Sequence, residues 1–172
     1  MRSFTVGFCA ATVATVAWAQ SPPLTYGAPV TLEQARQIAS VAEADAKAHH
    51  DAVTIAIVDS GGTLIFEERM DGATLASADT APAKAKSAVM WKRPTSLWFD
   101  SAKTNPAPLS FPHVVATRGG ELLVREGRII GAVGIGGSPQ NEGDIAKRAA
   151  ASLESSSTRA NSSDAAGGHS PH

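Results

Sequence analysis

The sequence predicts a single α/β domain, and three observations carry that prediction. Residues 53–72 read VTIAIVDSGGTLIFEERMDG, two strand-like runs around an Asp-Ser-Gly-Gly turn, which is the pattern of a β-hairpin. A second hairpin pattern covers residues 121–135, with a tight turn at Glu126-Gly127 and a closing run, IIGAVGI, that is apolar throughout. Alanine-rich segments with helical spacing lie around these hairpins, and narrow alanine stripes let helices sit close against a sheet.

The chain opens on Met1 and Arg2, and residues 4–17 are almost wholly uncharged and apolar. Ala17-Trp18-Ala19 supplies the small-x-small pattern a signal peptidase accepts, so residues 1–19 are expected to be a signal peptide and Gln20 the mature start. The apolar run is shorter than the roughly 20 residues a bilayer span needs, and Pro22-Pro23 follow it. Cys9 stands behind Phe8, not the small residue a lipoprotein site wants, and the remaining chain has no cysteine for a disulfide, a thiolate or a metal. A periplasmic or secreted protein is expected, with no membrane span after signal removal. The roughly 150 residues left fit one core. A formal charge of −1, with no basic run interleaved with aromatics, argues against a nucleic-acid partner.

Residues 20–30 read as a proline-containing linker. Thr31 then opens a helix, with Gln34 completing a capping box, and Leu32, Ala35, Ile38, Ala39, Ala42 and Ala46 form its apolar stripe. The helix ends at His49-His50-Asp51. Adjacent histidines point about 100° apart on a helix, so they do not chelate one metal as an i, i+4 pair would. Two readings stay open: favourable cations at a helix C-terminus, or an axial ligand to a cofactor.

In the first hairpin, Val53, Ile55 and Ile57 share one face and Ala56 and Val58 the other, which marks a central strand. Its partner puts Leu64 and Phe66 on one face and Ile65, Glu67 and Arg69 on the other. A second helix is expected over roughly residues 77–93, with Ala81, Ala85, Ala88 and Val89 buried, Lys84, Lys86, Lys92 and Arg93 decorating it, and Pro82 in its first turn or two. Pro94 stops it, and Thr95 is expected to cap a short helix bearing Leu97, Trp98 and Phe99, which are expected to fill core or an oligomer interface rather than stack on a ligand.

Residues 101–112 read as a loop with three prolines, and His113 stands at its exit, as a ligand, an acid-base group or a half-exposed polar residue. The strand 129–135 of the second hairpin is thinned by glycines where a helix or ligand approaches closely. Gly136-Gly137-Ser138-Pro139 precede a last helix over about residues 140–153, with Ser138 as cap. This glycine-rich turn serves close packing or, failing that, a carboxylate site. Residues 155–172, which include His169 and His172, have the Ser/Ala/Gly composition of a disordered tail. The domain is bounded at 31–154.

The motifs VTIAIVDSGGTLIFEERMDGA from Val53, KAKSA at residues 84–88, KRPT at 92–95 and GRIIGAVGIGGS at 127–138 together resemble the haem-binding HbpS/GlcG-type family, including its exported members. They are more distantly similar to the C-terminal domain of PduO-type cobalamin adenosyltransferases. The resemblance runs in order from about Leu32 to Leu153. It implies an α-β-α sandwich with a five-stranded antiparallel sheet, assembly into homo-oligomers such as octamers, and haem as ligand. Some members of the family degrade haem or act in redox sensing. Where relatives often carry Gln-Asp after the terminal Gly-Gly segment, this chain has Asn141-Glu142, which moves the carboxylate outward by one methylene.

A haem site wants an apolar slot, a ligating side chain and cations for the propionates. His113, His49, His50 and Met70 are the candidate ligands, and Arg69, Arg93 and Lys84 the candidate propionate partners. Tyr26 sits in the linker and is a poor ligand candidate. No catalytic set can be read off: Glu67 and Glu68 point to opposite faces of a strand, and Asp59, Asp71 and Asp79 have turn or cap roles. The expectation is an exported haem-binding or haem-handling protein. The alternatives are a non-haem module that binds a small metabolite or is purely structural, and an enzyme acting on a small oxidised acid, which rests on the setting of some relatives.

Overall fold

The computed structural model describes residues 23–153. The expected signal peptide with Cys9, residues 20–22 of the expected linker, and the expected tail with His169 and His172 lie outside the described residues. The elements, in chain order, are β1 (Thr25–Tyr26), α1 (Leu32–Ala48), β2 (Thr54–Asp59), β3 (Leu64–Arg69), α2 (Leu75–Trp91), α3 (Thr95–Ala102), a 3-10 turn (Ala107–Ser110), β4 (Gly120–Arg125) and β5 (Arg128–Gly136). A last helix, α4, covers residues 142–153, opening two residues later than the sequence suggested.

The five strands form one sheet with β5 at its centre. β2 and β4 pair antiparallel with β5 and β3 pairs antiparallel with β2, whereas β1 runs parallel to β5 at Arg128 and Ile129. Those two β5 residues also pair with β4, so β1 must occupy the opposite edge, beyond the point where β2 leaves β5 at Gly131. The sheet is therefore mixed, not purely antiparallel. The cause lies in the stretch 23–30, which is part of the fold: Gly27 and Val30 donate to the Ile129 and Ile130 carbonyls at 2.8 Å, and the Tyr26 hydroxyl donates to the Val89 carbonyl at 2.9 Å.

α1 and α4 cover one face and α2 the other, which gives the expected α-β-α sandwich. Ala35, Ile38, Ala39, Ala42 and Ala46 of α1 join Val53, Ile55, Ile57, Leu123 and Val133 of the sheet and Ile145 of α4 in the larger core. Val58, Ile129 and Ala132 meet Ala85, Ala88 and Val89 of α2 across the other face. At the start of α1 both capping-box bonds form: Gln34 N–H donates to the Thr31 hydroxyl at 3.2 Å and Thr31 N–H to the Gln34 amide oxygen at 2.9 Å. Thr95 does not cap α3; Pro94 holds that position, and the buried Thr95 hydroxyl accepts from Gly120 N–H at 2.9 Å, tying α3 to β4.

Both hairpin turns form as the sequence implies. Asp59 Oδ1 accepts from Gly61 N–H and Thr63 N–H at 2.8 Å each, while Glu126 and Gly127 take φ of 51° and 71°, the pair of positive angles a two-residue turn requires. Strict alternation fails in β3. A bulge shifts the register between Ile57 and Val58, so Ile65 and Phe66 both pack on the larger core.

α2 starts at Leu75, which places Pro82 seven residues in rather than in the first turn or two. The helix lies almost backbone to backbone on β5: a Cβ built on Gly134 would stand 2.0 Å from the Ala81 carbonyl oxygen. Such closeness needs glycine below and alanine above. It also draws in whatever else shares that helical face.

Candidate functional site

α2 carries two unlike surfaces, one at its C-terminus and one near its middle. At its C-terminus the chain turns through Lys92 (φ 52°) and Pro94 into α3, which sets Trp98 against Trp91 edge-to-face with ring centroids 5.4 Å apart. The loop after α3 returns Phe111 onto the other side of Trp91, stacked at 5.7 Å, and the Trp91 indole N–H donates to the Pro112 carbonyl at 3.1 Å. The Arg93 guanidinium lies 4.7 Å from the Trp98 ring. His113 follows Pro112 directly, exposed and held at φ 61°. Met90, Leu97, Leu109 and Phe111 leave roughly half of their surface in water, between 45% and 52%. The Trp98 Nε1 donor is the one buried side-chain polar atom among the described residues without a partner.

Arg93, over Trp98, and His113, next in the chain to Pro112, are thus brought to the same aromatic cluster though separated in sequence. The other five candidates do not join them. His49 caps the C-terminus of α1 with its Nδ1 2.8 Å from the Asp45 carbonyl oxygen, and exposed His50 takes a left-handed φ of 59°. Met70 packs on the core, and Arg69 and Met70 border a polar hollow of about 350 Å³ with Glu43, Lys47, Glu68 and Asp71. That group lies where β2 begins, at the far end of the sheet from Trp91: Thr54 bonds Ser77 near the start of α2, whereas Val89 bonds Tyr26 of β1.

The second surface surrounds Lys84, which the sequence placed on the outside of its helix. It is buried. Its Nζ donates to the Ile135 carbonyl at 2.9 Å and to Glu142 Oε1 at 2.8 Å, and the two side chains are only 5% and 8% exposed. Lys84 is therefore held inside the fold with its charge matched by Glu142, which leaves no unpaired cation for a propionate. The signal was present: with Ala81, Ala85 and Ala88 it follows the i, i+3, i+4, i+7 spacing of the buried stripe. Burial pushes the Glu142 carboxyl above its ordinary value, and the Lys84 ammonium pulls it back part of the way. The pair borders a cleft of about 520 Å³ lined by Thr74, Ser77, Thr80, Val115, Thr117 and Pro139 among others.

Glu121 on β4 is a second perturbed carboxyl. Burial raises its pKa from 4.5 to about 7, opposed by the Lys147 ammonium. Among the described residues no group of three or more His, Cys, Asp or Glu side chains could hold a metal ion, and no helix is long and apolar enough to cross a membrane.

Comparison with known proteins adds the family. A family model described as haem degrading protein HbpS-like matches residues 30–152. The corrinoid adenosyltransferase PduO of Citrobacter freundii is 37% identical over 107 residues, 59% of this chain and 32% of that protein. The chain thus spans about a third of the length of that relative. The crystal structure of a double mutant of Streptomyces reticuli HbpS superposes with a TM-score of 0.68 at 30% identity, covering 83% of this chain and 99% of that one. The crystal structure of a PduOC–heme complex gives a TM-score of 0.64 at 32% identity, over 72% of this chain and 94% of that one.

Proposed function

Because the chain belongs to the HbpS-like family, we propose that it is an exported haem-binding or haem-handling protein whose site is the aromatic cluster at the end of α2. The observation that carries this reading is that Arg93 lies over the Trp98 ring while exposed His113 directly follows Phe111 and Pro112, which are held on Trp91. The residues fit the group. The exposed Phe111 ring and the half-buried Trp91 ring offer an apolar platform, exposed His113 offers an imidazole, Arg93 offers a cation, and the Trp98 N–H is left without an acceptor. Haem, when bound, supplies a redox-active iron; the chain's own part is to bury the macrocycle's apolar surface, hold the imidazole and neutralise carboxylates.

Residues 1–19 support export, and the remaining apolar exposure on α2 and α3 supports assembly into a homo-oligomer such as the octamer the family resemblance suggests. No nucleic-acid partner and no membrane span after signal removal enter this reading. In the second grouping, His49 stands 3.7 Å from the Asp45 carboxylate, and His49 and His50 serve as the control.

Hemin titration of the chain beginning at Gln20 tests the reading by absorbance. A saturable Soret band that is lost in His113→Asn, and retained when His49→Ala and His50→Asn are combined, supports it. Asparagine tolerates the left-handed backbone at residues 50 and 113, so loss of signal reports the imidazole and not a refolded turn. Loss in the His49/His50 variant alone would move the site to the other end of the sheet, and an unsaturable, variant-independent signal would remove it.

A further inference from the structure

A buried ion pair is costly to build and seldom adds stability over an apolar pair of similar size. The Lys84–Glu142 pair is built, and it is left incomplete. Lys84 uses two of its three donors, on the Ile135 carbonyl at 2.9 Å and Glu142 Oε1 at 2.8 Å. No donor among the described residues reaches the other oxygen of Glu142, and that oxygen is not sealed in: Trp98 Nε1 is the one buried side-chain polar atom left unpartnered, and Glu142 lines the cleft. Lys84 and Glu142 both line a hollow of about 520 Å³, so the third N–H of the one and the second oxygen of the other are the groups the pair leaves for a ligand there. A ligand meeting both must bring an acceptor and a donor together.

Charge narrows the class. Lys84 cancels Glu142, and the one further ionisable group in the lining, Asp79, is negative, so the cleft holds no net attraction for an anion. The walls add hydroxyls and methyls from Thr74, Thr80 and Thr117, with Val115 and Pro139 for apolar contact. The chain is shaped to pass over the pair: Gly119 takes φ 103°, and a Cβ there would stand 2.6 Å from the Ile135 carbonyl oxygen and 3.3 Å from Glu142 Cγ. Only glycine leaves the carboxylate where it is.

We infer that this cleft is a second ligand site, separate from the aromatic cluster, that takes a small uncharged molecule carrying a carbonyl or hydroxyl acceptor beside a hydroxyl donor. The acceptor faces the third N–H of Lys84 and the donor faces the free oxygen of Glu142. Volumes of a few hundred Å³ suit a molecule of metabolite size. The site shares no residue with the aromatic cluster, so it stands whether or not hemin binds there.

Hydroxyacetone is the probe, compared with acetone, which lacks the donor, and with acetate, an anion of similar size. Titrated into the full chain labelled with nitrogen-15, hydroxyacetone is expected to shift the amide signals of Lys84, Thr117 and Gly137 saturably, with at least tenfold weaker response to acetone and to acetate. A site built to pair with a hydroxyl rejects an analogue without one, because its own polar groups are then left unmet. Lys84→Met combined with Glu142→Leu replaces the pair with apolar side chains and should abolish the response while leaving the rest of the spectrum in place. Should that double variant not fold, Thr117→Val at the exposed rim is expected to weaken the response several-fold. Acetate binding as well as hydroxyacetone, no saturable shift, or an unchanged response in the variant that folds would each overturn the inference.

Discussion

The middle and the C-terminal end of α2 break the usual partition of side chains in opposite ways. Near its middle, Lys84 and Glu142 put charge inside, 5% and 8% exposed, while at its C-terminus Met90, Leu97, Leu109 and Phe111 put large apolar groups outside. The first departure is balanced by partners, since each charge faces the other and a carbonyl takes a second lysine donor. The second is not balanced, and it even leaves the Trp98 N–H unmet. Buried charge and exposed apolar surface are the two informative departures from the general rule. Their occurrence on one helix, about two turns apart, gives a common scaffold to two sites of different chemistry.

The largest break in this comparison comes from removing half of the pair. Lys84→Met leaves the Glu142 carboxylate buried and alone, and is expected to cost about 3–5 kcal/mol of stability. Lys84→Met with Glu142→Leu should recover most of that loss in chemical denaturation. An equally unstable double variant would mean that packing, not charge, governs this end of the helix. Next comes the close approach that buries Lys84. Gly134→Ala drives a methyl toward the Ala81 carbonyl oxygen, 2.0 Å from its ideal Cβ, and is expected to cost about 1–3 kcal/mol. The loss should be measurable by urea titration, with weakened hydroxyacetone response and unchanged hemin binding.

Glu121 sharpens the contrast between partnered and unpartnered carboxyls. Its folded pKa is raised from 4.5 to about 7, so the fold holds a proton that the unfolded chain releases. Stability from this group is present below about pH 4.5 and falls as pH rises through about 7. Glu121→Gln is therefore expected to exceed the parent in stability at pH 8 and to match it near pH 4.5. The gain should be about 1 kcal/mol, well under the full linkage value, because the half-buried side chain keeps contact with water. The smallest effect belongs to the aromatic end. Trp98→Phe removes an N–H that has no acceptor, so it should change stability by less than about 1 kcal/mol while weakening hemin binding. A large loss of stability would show that the indole is structural.

Much of the fold could be read before any coordinates. The Thr31–Gln34 box, the Asp59 turn, the Glu126-Gly127 turn and the β2 and β5 strands, buried in all but one residue each, depend on residues within a few positions of each other. The mixed sheet did not show, because a two-residue strand carries no periodicity and β1 pairs with residues about a hundred positions on. The bulge at Ile57/Val58 was hidden for a similar reason: alternation in β3 is a local pattern, and its break is set by the partner strand. Of the site candidates, His113 and Arg93 were each visible singly, but their meeting was not. It depends on α3 folding back so that Trp98 and Phe111 both reach Trp91.

The sequence by itself determined the class, the order of elements, the turns and the family motifs, since these rest on local backbone preference and on periodicity along one element. Only the tertiary structure decided which polar residues went inside and which apolar ones stayed out. Lys84 lies on the buried stripe of its helix, yet its burial is tolerable only because Ile135, 51 residues later, offers a carbonyl and Glu142 a carboxylate. A charge enters a core when its partners arrive from elsewhere in the chain, and that arrival is a property of packing rather than of any stretch of sequence.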